Sequence, residues 1–124
     1  MKYLNKPIAY LQDSDFDVNG NLVNPNIPKN MPVVVMLAAN YCHFCTEAKP
    51  AYQHFANQTR GKVFCTTIQG DGNMPGEKEL AKRLNKINPS FKGYPDYLLF
   101  LNGKRVNKDI KGRGVNELFE FVSA

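Results

Sequence analysis

The decisive stretch of this chain is VVVMLAANYCHFC, residues 33–45, in which an apolar run ends at two cysteines separated by two residues. Apolar residues fill every position from Val33 to Ala39, which predicts a strand buried on both faces of a sheet. A helical pattern follows, because the apolar residues of the next segment fall on one helical face: Phe44, Ala48, Ala51, Tyr52 and Phe55. The first cysteine therefore lies at the predicted start of a helix.

This placement bears on the chemistry of Cys42 and Cys45. Unpaired N–H groups and the helix dipole at a helix N-terminus favour a thiolate over a thiol. The thiolate is the form that attacks disulfides, so the pair predicts a centre that closes into a disulfide and opens again. Two cysteines at this spacing also form half of a zinc site. The change from strand to helix at the pair favours redox chemistry over zinc.

Size and composition limit the class of protein. The 124 residues fit one domain, spanning 1–124, and the 43% hydrophobic content indicates a globular chain. Three cysteines are too few for a disulfide framework. The N-terminus lacks the apolar region of a secretory signal, and no segment is long enough to span a membrane. We therefore expect an intracellular, cytoplasmic protein with no membrane partner.

The net charge of +5 comes from basic residues spread widely along the chain. No tight basic block alternates with aromatic residues, as a nucleic-acid surface requires, so we expect no nucleic-acid partner. The basic residues are interpreted as solvated helix faces and loops. The alternative is that they mildly steer acidic protein partners toward the active end.

The order of predicted elements indicates an α/β sandwich with a mixed central sheet and helices on both faces. Asn102-Gly103 is a strong hairpin signal between the last two strands. An Asn/Pro-rich segment, 18–31, is predicted to be irregular, and Pro50 is predicted to kink the first long helix. The predicted strands are 8–11, 33–38, 63–68, 96–101 and 105–110, and the predicted helices are 44–55, 77–87 and 115–122.

The chain resembles the thioredoxin family over nearly its whole length. The resemblance is carried by the apolar strand that leads into Tyr41-Cys42-His43-Phe44-Cys45, by Pro50 five residues later, and by Gly93-Tyr94-Pro95, which is similar to the family's cis-proline loop. A hairpin and a late glycine continue the match: Phe100-Leu101-Asn102-Gly103-Lys104 and Gly112. The resemblance implies a three-layer sandwich in which 18–31 takes the place of a regular first helix.

The resemblance also implies a function, a thiol–disulfide oxidoreductase. Cys42 would attack a substrate disulfide and Cys45 would then resolve the mixed disulfide. The Cys42–Cys45 disulfide would be the redox group, with no other cofactor. Substrate would bind along a groove that includes a cis Pro95. The residues of that groove would be Tyr41, His43, Phe44, Gly93, Tyr94 and Pro95.

The chain departs from the family at two places near the cysteines. His43-Phe44 is the dipeptide of neither the reductases nor the oxidases and isomerases of the family. A protonated His43 would stabilise the Cys42 thiolate and make the protein more oxidising, whereas a neutral, solvent-facing imidazole would not. Met36 stands where the family often buries a carboxylate, so we expect water or a substrate group to take the proton of Cys45.

Several other residues carry weaker expectations. Cys65 lies in a strand pattern, which favours a buried, unreactive thiol over a regulatory or resolving one. A zinc site needs about four ligands, and only Cys65, His43 and His54 supplement the pair, all badly placed by this fold, so we expect no metal. His54 is expected at the surface. Four tyrosines are expected to pack with their hydroxyls in water: Tyr3, Tyr10, Tyr52 and Tyr97.

The leading hypothesis is a monomeric oxidoreductase that acts on protein disulfides and dithiols and is recycled by an unidentified redox partner. The reducing direction is slightly favoured by the expected intracellular setting. An oxidase or isomerase variant stays open because of His43. The alternative from another class is a redox-inactive adaptor that holds a partner peptide in the same groove.

Overall fold

The computed structural model describes residues 4–123. The expectation for Tyr3 falls on a residue outside this range. The strands are β1 (Ala9–Tyr10), β2 (Val33–Ala38), β3 (Phe64–Gln69), β4 (Asp96–Leu101) and β5 (Lys104–Val106). The helices are α1 (His43–Gln58), α2 (Glu77–Ala81), α3 (Leu84–Ile87) and α4 (Val115–Val122), and a 3₁₀ turn covers Asp13–Asp15.

The five strands form one mixed sheet in the order β1-β3-β2-β4-β5. β2 lies in the centre, parallel to β3 and antiparallel to β4. All six of its residues are buried, as the unbroken apolar run predicts. The central position of β2 fixes where its carboxyl end, and therefore the cysteine pair, emerges from the sheet.

Alternate residues of β2 face two different apolar cores. Helices α1 and α4 cover one core, which includes Val34 and Met36. The other core includes Val33 and Val35 and is covered by α2, α3 and the segment that follows the 3₁₀ turn. The three-layer α/β sandwich with helices on both faces is therefore confirmed.

Residues 18–31, all of them described, contain no helix. This segment and the residue pair before it still contribute to the second core through Phe16, Leu22 and Ile27, which are at most 8% exposed. A few apolar anchors in an irregular chain thus cover the part of the sheet where the resemblance implies a helix.

The turn between β4 and β5 has the backbone that its sequence predicts. Asn102 and Gly103 both have positive φ, 54° and 82°, as a type I′ hairpin turn requires. A Cβ on Gly103 would lie 2.8 Å from the carbonyl oxygen of Leu22. Glycine is therefore needed here both for φ and for space.

Two predicted elements are wrong in their extent. The helix predicted over 77–87 is divided into α2 and α3, because the backbone of Arg83 is not helical (φ −105°, ψ 6°). The guanidinium of this residue donates hydrogen bonds to the Asp13 carboxylate and to the Asp17 carbonyl. The strand predicted over 105–110 ends at Val106. Beyond it, Lys108 turns toward the end of α4 and donates to the carbonyl of Ser123 at 2.9 Å.

None of the described helices combines the length and the apolar character that crossing a bilayer requires.

Candidate active site

Cys42 and Cys45 meet at the first turn of α1. Cys42 is the N-cap residue, and its Sγ accepts a hydrogen bond from the Cys45 N–H at 3.2 Å. The Cys42 N–H in turn donates to the carbonyl of Ala39 at 3.1 Å, which fixes the link from β2 into the helix. Cys42 is half-buried and Cys45 is fully buried. The accessible sulfur is therefore the one that faces the amide donors at the helix N-terminus.

The Cys45 thiol is held in its protonated form. Burial raises the pKa of Cys45 to about 12, helped by a hydrogen bond with Cys42 and by the charge of that sulfur, while the positive charge of Lys49 acts in the opposite direction. The thiol must lose this proton before it can attack another sulfur. Proton removal is thus the chemical difficulty at this site.

The position that often carries a buried carboxylate is apolar here. Met36 on β2 is fully buried in the same core as Cys45 and lies opposite Tyr97 in the sheet. Burial raises the pKa of Tyr97 far above its usual value. Neither side chain supplies a negative charge beside Cys45 at neutral pH.

The sequence reasoning missed Lys49, which lies one helical turn after Cys45 and is only 6% exposed. Burial lowers the pKa of Lys49, and the charges of Cys45, Asp71 and Cys42, in decreasing order, oppose that shift. A signal was present in the sequence. Position 49 continues the buried stripe of α1, which also contains Cys45, Tyr52 and Ala56.

Asp71, in the loop after β3, holds the backbone that precedes Cys42. Its carboxylate accepts bonds from the N–H groups of Asn40 (2.9 Å) and Tyr41 (3.3 Å) and from the Gln69 amide (3.1 Å). Partial burial raises the pKa of Asp71, but these bonds, led by that from Asn40, outweigh burial and leave the pKa below its usual value. The sequence reasoning did not identify this carboxylate either.

The loop before β4 brings Tyr94 against the loop that carries Asp71. The Tyr94–Pro95 peptide is cis, and Gly93 before it is exposed with φ 151°. The Tyr94 hydroxyl packs on Gly70 so closely that a Cβ there would lie 1.9 Å from the oxygen. Burial raises the pKa of Tyr94 to about 12, with smaller effects from Tyr41, Asp71 and Cys45.

Aromatic side chains form an exposed surface around this loop. Tyr41 is 75% exposed and meets Tyr94 edge-on, with ring centroids 6.2 Å apart. Phe44, two residues after Cys42, is 56% exposed, and the Arg113 guanidinium lies 5.2 Å from the centroid of its ring. The residues that were expected to line a groove thus include two large aromatic groups open to solvent.

His43 is directed along the outside of α1. Its Nε2 lies 2.6 Å from the Glu47 carboxylate, and both side chains are largely exposed. The observed partner of the imidazole is thus a carboxylate one turn further along the helix.

Two further residues lie where the sequence predicts. Cys65 is buried on β3, and burial raises its pKa to about 11. His54 is exposed on α1.

The expectation of a hydrated hydroxyl is wrong for Tyr52 and Tyr97, because both side chains are buried. The Tyr52 hydroxyl donates to the carbonyl of Thr66 at 2.7 Å, which replaces the water that we expected. The Tyr97 hydroxyl is buried without a hydrogen-bond partner among the described residues.

Within residues 4–123, no three or more His, Cys, Asp or Glu side chains are grouped closely enough to hold a metal ion.

The thioredoxin family model matches residues 8–124. A thioredoxin-like protein of Invertebrate iridescent virus 6, 453L, is 44% identical over 133 aligned positions, which cover 98% of this chain and 96% of that protein. Among solved structures, human ERp44 form I matches 98% of this chain with a TM-score of 0.69 and 18% identity. The zinc-bound form of human ERp44 matches 93% with a TM-score of 0.65 and 20% identity. This chain spans only 30% and 29% of those two ERp44 chains, and identities this low show the fold alone.

Replacing Asp71 with asparagine is expected to lower the free energy of unfolding at pH 7 by about 1 kcal/mol, because the N–H groups of Asn40 and Tyr41 lose their charged acceptor. Because the pKa of Asp71 is lowered in the folded protein, its carboxylate stabilises the fold in full at pH values above the unfolded-state pKa, about 3.9. That contribution is lost as the pH falls through the lower folded-state pKa. The difference in the free energy of unfolding between wild type and Asp71→Asn should therefore shrink below about pH 4.

Urea unfolding at pH 7 and pH 3 measures this difference, and Asp109→Asn, which changes an exposed aspartate, is the control. An equal difference at both pH values would contradict this role.

Proposed function

This chain belongs to the thioredoxin family, and we propose that it exchanges disulfides with protein substrates through Cys42 and Cys45. The observation that carries the proposal is the arrangement of the two sulfurs in the first turn of α1. The Cys42 sulfur is accessible and accepts a hydrogen bond from a backbone N–H, and the Cys45 thiol is buried. The fold and the cysteine spacing support the same chemistry. No cofactor other than the Cys42–Cys45 disulfide is proposed.

The reaction divides into two exchanges of sulfur partners. The Cys42 thiolate attacks one sulfur of a substrate disulfide, and the other substrate sulfur leaves as a thiolate. Cys45 loses its proton and attacks Cys42 Sγ, which forms the Cys42–Cys45 disulfide and releases the second substrate thiolate. The substrate gains two electrons, which the two cysteine sulfurs lose. The Cys45 proton passes to water, and the substrate thiolates take protons from water. A redox partner must then reduce the protein before the next cycle.

The substrate surface proposed for this reaction surrounds Cys42. An extended segment of substrate would pair with the backbone beside Tyr94 and Pro95, in the manner of an added strand. Exposed Gly93 leaves that backbone accessible. Tyr41 and Phe44 would contact apolar substrate side chains, while His43 would face the polar edge of the segment.

A second candidate is a redox-inactive adaptor that holds a partner peptide on the same surface. The exposure of Tyr41 and Phe44 favours a binding surface of some kind. A pure binder, however, needs neither thiol at the head of α1. The two candidates therefore differ in whether the cysteines are required.

Cys42→Ser is expected to abolish turnover in the reduction of insulin by dithiothreitol, measured as turbidity, because the attacking sulfur is lost. Cys45→Ser should instead form a lasting mixed disulfide with substrate, visible by mass spectrometry. Cys65→Ser is the matched control and should retain the wild-type rate, since its thiol is buried on β3 and has no role in the proposed exchange. Wild-type protein that binds insulin chains but does not accelerate the reaction would favour the adaptor.

We propose the reducing direction, in an intracellular setting, on the basis of the low cysteine content. Equilibration with glutathione measures the potential of the Cys42–Cys45 couple. A reductase predicts a value near the cytosolic poise or below, roughly −270 mV, as in thioredoxin. A value of roughly −120 to −180 mV would contradict the reducing direction and favour an oxidase or isomerase.

A further inference from the structure

We propose that the ammonium group of Lys49 stabilises the thiolate of Cys45 while Cys45 resolves the mixed disulfide. The inference rests on the proposed disulfide exchange and deepens it. Water still takes the proton of Cys45, and the chain's own helix supplies the cation that favours its loss.

The position of Lys49 is the first reason. Lysine is rarely buried unless its charge has a use or a partner, because desolvation disfavours the ammonium ion. Here a lysine that is 6% exposed lies on the buried stripe of α1, one turn beyond Cys45. Residues at this spacing on a helix are neighbours on one face.

The electrostatic surroundings are the second reason. The groups that act electrostatically on Lys49 include Cys45 on the same helix, Asp71 from the loop after β3, and Cys42 at the N-cap. Asp71 stays ionised at neutral pH and opposes the loss of charge that burial would cause. Tyr94 and Tyr97 also face Cys45, from the loop before β4 and from β4 itself. Burial raises the pKa of both phenols, so they are neutral at pH 7. Lys49 is thus the cation in this set.

The absence of a carboxylate at position 36 is the third reason. Met36 fills that position in the core with an apolar side chain, so no anion opposes ionisation of Cys45 from β2. A cation beside a thiol lowers the free energy of the thiolate, whereas a buried anion must act by accepting the proton. In place of a buried proton acceptor on β2, this chain has a cation on α1 that favours the thiolate.

Water takes the proton of Cys45, and the resulting thiolate is stabilised by the Lys49 ammonium. The Cys45 sulfur bonds to Cys42 Sγ as the bond from Cys42 to the substrate breaks. The departing substrate thiolate leaves with the electron pair of that bond and takes a proton from water. Lys49 keeps its proton throughout.

A stopped-flow reaction with one equivalent of 5,5′-dithiobis(2-nitrobenzoate) tests this role in a Cys65→Ser background, where only the pair reacts. The first release of thionitrobenzoate reports attack by Cys42, and the second reports attack by Cys45 on the mixed disulfide. Lys49→Met should slow the second phase at pH 7 by about tenfold or more, as loss of a facing opposite charge predicts. The first phase should change less, because Cys42 interacts with Lys49 more weakly than Cys45 does.

Lys49→Arg separates charge from packing. It keeps the cation, so its second phase should stay within about threefold of the starting protein, and its pH profile should not move. Lys49→Met should need a pH about one unit higher than the starting protein to reach the same second-phase rate. Lys86→Met, which removes an exposed lysine from α3, is the matched control and should change neither phase. If Lys49→Met fails to fold by circular dichroism, Lys49→Gln replaces it.

The possible failures are distinguishable. A second phase that is equally fast with and without the Lys49 ammonium would overturn the role of Lys49 and leave the disulfide exchange intact. Equal slowing by methionine and arginine would also overturn it, because packing rather than charge would then be responsible. A starting protein that shows no second phase would overturn the proposed exchange itself, and the role of Lys49 with it.

Discussion

The hydrogen bond from the Cys45 N–H to Cys42 Sγ, 3.2 Å long, is the interaction on which the rest of the site depends. It exists because β2 is the central strand of the sheet and Cys42, the N-cap residue of α1, follows four residues after the end of β2. The same turn that supplies the amide donor also places the second thiol behind the first. One local geometry thus provides both sulfurs that the proposed exchange needs, an accessible one and a buried one.

Two charged side chains lie near the cysteine pair, Lys49 on α1 and Asp71 in the loop after β3. Asp71 bonds to the backbone before Cys42 and also interacts with Lys49, so a single carboxylate links the position of the loop to the charge beside Cys45. Met36 leaves the sheet side of Cys45 apolar. The positive charge that favours ionisation of the buried thiol then lies on α1, at Lys49, and no charge on β2 acts on it, which distinguishes this chain from the pattern that its resemblance implied.

Much of the fold could be predicted because local and global preferences agree. The apolar run of β2 and the positive φ values of Asn102-Gly103 each follow from residue type alone. The division between α2 and α3 could not be predicted, because it accompanies bonds from Arg83 to residues about 70 positions earlier. The role of Lys49 could not be predicted for a similar reason. The helical periodicity puts position 49 on the buried face of α1, but only the folded structure shows which thiol and which carboxylate act on it.

Mapping the disulfide of the oxidised protein tests the central claim most directly. Reduced protein is treated with a mild oxidant, the remaining thiols are alkylated, and the peptides are identified by mass spectrometry. We expect one intramolecular bond, between Cys42 and Cys45, with Cys65 alkylated only after unfolding because it is buried. Oxidation that leaves Cys42 and Cys45 unbonded to each other, or that joins either of them to Cys65, would contradict it.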